Sequence, residues 1–98
     1  MVTTFQSVAE QLLSGAAVIE LDGQSFPIRR TSSKRLTMVI FRCEGREYSA
    51  IEQNPEKPSR WGQLARDGHR VVQFKDVASN RFVAVSIDGK VREYGKMK

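Results

Sequence analysis

The 98 residues are 40% apolar and 28% charged, which suits one globular domain spanning 1–98 and excludes a disordered tail. A chain this short buries roughly 65% of its unfolded surface, enough for one core without covalent staples. The formal net charge of +5 and the pI near 9.8 favour polyanionic partners.

No basic residue precedes Arg29, and Gln6, Glu10 and Gln11 break up the first apolar run, so no signal peptide is expected. No stretch approaches the ~20 apolar residues of a membrane span. A cytoplasmic protein without membrane contact is the expectation.

The first predicted element is a helix over Thr4–Ser14. Thr3 and Gln6 have the spacing of a capping box, in which each side chain satisfies an orphan backbone donor. Phe5, Val8, Ala9, Leu12 and Leu13 fall on one helical stripe, and Ser14-Gly15 supplies a stop.

Three phrases of hairpin type follow, with reversals at Asp22-Gly23, Glu44-Gly45 and Asp88-Gly89. An acidic-Gly pair between strands suits a type I′ turn, which needs positive φ at both central residues. A two-residue loop at Asp22-Gly23 sets Leu21 opposite Gln24, Ile19 opposite Phe26 and Ala17 opposite Ile28. Pro27 then points the other way and marks an edge strand. A loop at Glu44-Gly45 sets Phe41 opposite Tyr48 and Arg42 opposite Glu47, an aromatic pair and an ion pair.

Cys43 is the only cysteine, so no intrachain disulfide forms, and within its apolar run it reads as a small buried hydrophobe. One cysteine and one histidine cannot build an ordinary transition-metal site, so neither metal nor cofactor is expected.

Arg29-Arg30-Thr31-Ser32-Ser33-Lys34-Arg35 is the densest basic run. It reads as a polar loop whose Arg29, Arg30, Lys34 and Arg35, with three hydroxyls, suit phosphate oxygens. A second cluster, Lys57, Arg60, Arg66 and Arg70, surrounds Trp61 in a short helix expected between an N-cap at Ser59 and a stop at Gly68. Trp61 is the expected anchor of that helix, or a base-stacking ring, or the partner of a nearby arginine. A strand over Val71–Lys75, a loop over Asp76–Arg81 and the last hairpin complete the chain, with 95–98 frayed.

These elements predict an α+β fold: an antiparallel, hairpin-rich sheet of about seven strands, bent or partly closed into a barrel, with an N-terminal and one short helix. Phe5, Val8, Leu12, Ile19, Leu21, Phe26, Val39, Phe41, Leu64, Phe74, Val83 and Val85 are the expected core.

Catalytic signatures are missing. Gly89 to Lys96 is one residue too long for a phosphate loop, and Met97 stands where its Ser or Thr would be. His69 has only Asp67 close by in sequence, too little for a general base. The expected function is therefore a small non-catalytic binding module, for a protein partner or as an accessory domain. The alternative is nucleic-acid binding through Arg29–Arg35 and Lys57–Arg70. Residues 1–49 carry six Lys/Arg against five Asp/Glu and residues 50–98 ten against six, so the cationic excess lies in the second half.

Overall fold

The computed structural model describes residues 2–30, 37–52 and 60–93. Ser59, Lys34, Arg35, Lys57 and the tail expected to fray lie outside them. The elements run α1 (Val2–Leu13), β1 (Val18–Leu21), β2 (Gln24–Pro27), β3 (Arg29–Arg30), β4 (Thr37–Cys43), β5 (Arg46–Glu52), α2 (Arg60–Arg66), β6 (Val71–Asp76), β7 (Arg81–Ile87) and β8 (Lys90–Glu93).

The α+β class holds, with eight strands among the described residues; the extra one is the two-residue β3. Arg29 and Arg30, expected in a loop, pair with Met38 and Thr37 there. The strands form an open six-stranded sheet in the order β3-β4-β5-β6-β7-β8 and a separate β1–β2 pair. No barrel closes, because β1 and β2 spend their ladder on each other and leave β3 and β8 as edges.

Local chemistry builds the hairpins as expected. Asp22-Gly23, Glu44-Gly45 and Asp88-Gly89 all have positive φ at both central residues. Ile19 faces Phe26, Phe41 faces Tyr48 and Arg42 faces Glu47. The Ile28 N–H donates to the Ala17 carbonyl at 3.1 Å, extending the first ladder by the predicted pair. Alternation then makes Val18–Pro27 a non-bonded pair, so the proline nitrogen faces off the ladder.

The helix start departs from expectation. α1 begins at Val2, so Thr3 lies inside the first turn and not at the N-cap position expected of it. Gln6 instead reaches the last hairpin: its Nε2 donates to the Gly89 carbonyl and its Oε1 accepts the Val91 N–H at 3.3 Å. Two backbone partners in a neighbouring turn outcompete one at the helix end. The stop is as read: with Gly15 at φ 81°, Gly15 N bonds the Leu12 carbonyl and Ala16 N the Gln11 carbonyl, a Schellman motif.

The period-two alternation of each strand divides the sheet into two faces. On the first, Val39, Phe41, Tyr48, Ala50, Val72, Phe74 and Ala84 are buried under Phe5, Val8, Ala9 and Leu12 of α1 and Ile19 of the β1–β2 pair. Leu13, Leu21, Phe26 and Val83 pack around them. Val85 and Leu64, expected in the same core, are not part of it. Val85 is buried but stands opposite Gln73 and Arg92, on the second face. There Val71 and Val85 are buried, and α2, which contacts β6, buries Gly62 and half-buries Trp61, Leu64 and Ala65.

Replacing Leu12 by Ala should destabilise the protein by about 2–5 kcal/mol in urea unfolding, because it empties a site between α1 and the sheet. Ser86 gives a prediction of opposite sign. It is fully buried, and its Oγ finds no hydrogen-bond partner among the described residues. Ser86→Ala should therefore raise stability by about 1 kcal/mol in the same assay.

Candidate functional site

Cross-strand register turns the second face into a grid. One row holds Arg42, Glu47 and, through its N–H to the Glu47 carbonyl, Val77. The next holds Ile40, Ser49, Lys75 and Phe82. A third runs Arg29, Met38, Ile51, Gln73, Val85 and Arg92. Val71, Ile87 and Lys90 form the last.

At one end of this face Val71 and Val85 are buried, where α2 contacts β6. The other end is open: Phe82 is 48% exposed, Ile40 45% and Val77 40%. Val18, the fourth large apolar side chain this exposed among the described residues, lies on β1.

Phe82 reaches this face through an irregularity. Ala84 stands opposite Phe74, so an unbroken ladder would put Phe82 opposite Asp76 on the core side. A bulge between Phe74 and Lys75 moves Phe82 opposite Lys75 instead and leaves Val83 as the extra residue. The Lys75 ammonium lies 5.0 Å from the Phe82 ring centroid, a cation–π contact at the surface.

Charge is divided between the faces by the same alternation. Among the described strand residues, Arg29, Arg42, Lys75, Lys90 and Arg92 stand on the second face against the single carboxylate of Glu47. The core side carries Arg46 and Arg81 against Glu52 and Asp76. The expected ion pair between Arg42 and Glu47 does not form, although the two are opposite. Arg29, Arg42 and Arg92 have no ion-pair partner among the described residues.

A cleft of about 530 Å³ opens at the same end, lined by Arg42, Arg46, Glu47, Asp76, Ala78 and Ser79. Its anchor is Asp76, whose side chain is 7% exposed; Arg46 Nη1 donates to it at 3.2 Å and the Ala78 N–H at 3.2 Å. Arg46 itself is 70% exposed, so the ion pair fixes one edge of the guanidinium and leaves the rest in the cleft. Burial pushes the Tyr48 phenol up, with Arg46 opposing the shift.

The residues singled out from the sequence are distributed differently. Arg29 joins the second face, where it lines a small hollow with Pro27, Met38 and Ile40. Arg30 follows it in β3. Arg60 is exposed on α2 with its guanidinium 5.5 Å from the half-buried Trp61 ring, so that tryptophan both docks the helix and meets a cation. Arg66 Nη2 donates to Gln63 Oε1 at 2.9 Å. Arg70 serves the fold: it grips Glu52 with Nε and Nη2, both at 3.0 Å, and donates Nη1 to the Leu13 carbonyl at 3.2 Å. The hydrogen bonding to Glu52 raises the Arg70 pKa further. The sequence reading missed Phe82, Lys75, Arg42 and Arg92, since pairing alone reveals that they share a face.

Cys43 is half-buried at the edge of the core, its Sγ 3.7 Å from Thr4 Oγ1. Asp67, the acid near His69 in sequence, is bonded by Gln63 instead. His69 Nδ1 lies 2.7 Å from Asp88 Oδ2, while the Arg70 N–H donates to Asp88 Oδ1 at 2.9 Å. This exposed cluster ties the α2–β6 connection to the last hairpin. Among the described residues no three His, Cys, Asp or Glu side chains converge to hold a metal ion, and no helix is long and apolar enough to cross a membrane. Compared with protein-family models, curated proteins and solved structures, the chain matches none.

The Asp88 cluster predicts a pH dependence. The His69 hydrogen bond first, and the Arg70 backbone donor second, hold the Asp88 carboxyl below the usual carboxylate range. A pKa lower in the folded state contributes stability above the unfolded value, and that stability is lost as pH falls through the folded value. Thermal melts of wild type and Asp88→Asn should thus differ most near neutral pH and converge in strong acid.

Proposed function

We propose that this chain is a small non-catalytic binding module whose partner docks on the open end of the second sheet face. The observation that carries this reading is the gathering of Ile40, Val77 and Phe82 on that one surface, each at least 40% exposed. Scattered single apolar side chains need no explanation, but three sharing one end of one sheet face, with cations among them, mark an interaction surface. The bulge that turns Phe82 outward strengthens the reading, since bulges are devices for re-aiming a side chain.

His69, the one histidine of the sequence, and the Asp88 carboxylate hold a turn together, so this imidazole has a structural task. That supports binding over catalysis. A cytoplasmic location accords with the single unbridged cysteine and remains part of this proposal.

The test is photocrosslinking in the cells that make the protein, with p-benzoylphenylalanine in place of Phe82 or of Val18. Both positions are apolar and exposed, on different sheets. Adducts of defined mass should form from position 82 and not from position 18. Equal adduct formation at both positions, or none at 82, would overturn the docking surface.

A further inference from the structure

Resting on that docking surface, we infer that its partner is a single-stranded nucleic acid. Phe82 is 48% exposed and carries the Lys75 ammonium over its ring, so an aromatic surface and a cation, the two groups that hold a stacked base and its phosphate, stand together. The surrounding charge is complementary to a polyanion: Arg42 in the row on one side, Arg92 and Arg29 in the row on the other, and Glu47 the one carboxylate on this face among the described strand residues.

Shape selects between partners as well. Strands lie ~4.8 Å apart, so the row from Ile40 to Phe82 spans about 14 Å of flat, open sheet. With Ser49 and Lys75 standing between Ile40 and Phe82, the three apolar side chains form no continuous apolar patch of the kind a protein partner covers. A flexible strand needs much less: one ring for a base and cations at intervals for phosphates. The cleft at the end of the row adds Arg46, held in place by the buried Asp76 carboxylate. Duplex is disfavoured, because its bases are already stacked and cannot reach Phe82.

The decisive experiment is fluorescence anisotropy with the full chain and mixed-sequence 12-mer DNA, single-stranded and duplex, across a salt series. The single strand should bind with a Kd below about 100 μM at low salt, tighter than duplex. Three phosphate contacts, through Arg42, Lys75 and Arg92, predict a slope of log affinity against log salt of about −2. Phe82→Ala should weaken single-strand binding about 5- to 150-fold and leave the salt slope unchanged. Arg42→Gln should flatten the slope by about 0.7.

Phe82→Leu separates stacking from apolar docking. It keeps the apolar bulk and removes the π-face, so a strand should lose affinity while an apolar protein contact would persist. Two failures would have different meanings. If no oligonucleotide binds at about 100 μM yet position 82 crosslinks to a protein, the inference falls and the docking surface stands. If oligonucleotides bind with Phe82→Ala and Arg42→Gln unaltered, both fall, and the anion site belongs elsewhere on the molecule.

Discussion

Phe5 is the one side chain of α1 that touches every aromatic ring of the core, and the architecture depends on that contact. Its ring centroid lies 4.9 Å from Phe74, 5.2 Å from Tyr48 and 6.2 Å from Phe41, so three central strands converge on one helical residue. Edge-on and tilted pairs of this kind add to the stabilisation from burial alone. Once α1 is seated there, the first face of the sheet is closed. The second face must then be finished by whatever remains of the chain, and α2, with seven residues, is too short to cover it.

The two ends of the sheet consequently differ in character. At one end the polar side chains are engaged with one another: Gln6 holds the last hairpin, Arg70 joins Glu52 to the end of α1, and Asp88 ties His69 and Arg70 to the β7–β8 turn. At the other end the side chains are left available. Phe82, Ile40 and Val77 are exposed and Arg42 has no ion pair among the described residues, the Arg46–Asp76 pair being the fastening there. A small domain has few interactions to distribute, and this one concentrates its fastenings away from the surface proposed for binding.

Segregation of charge follows from pairing rather than from composition. A net charge of +5 on 98 residues is ordinary for a soluble domain and makes no surface by itself. Strand alternation places Arg29, Arg42, Lys75, Lys90 and Arg92 on one side, although they come from four different strands. The dense basic run in the sequence contributes Arg29 to this side, and Arg70 of the second cluster is taken up by the fold.

What the sequence by itself determined is the local geometry. The acidic-Gly turns, the registers beside them, the apolar stripe of α1 and the glycine stops are all set by interactions within a few residues, where φ preference and period suffice. What only the tertiary structure decided is what depends on distant neighbours. Gln6 abandons the helix end for a turn 83 residues away, His69 pairs with Asp88 rather than Asp67, and Val85 turns its back on the core expected to include it. Phe82 is the sharpest case. Its neighbours Val83 and Val85 read as core and it carries no signal of its own. A one-residue bulge, invisible without the partner strand, reverses which face it occupies, because a shift of one residue in a strand of period two moves a side chain through the sheet.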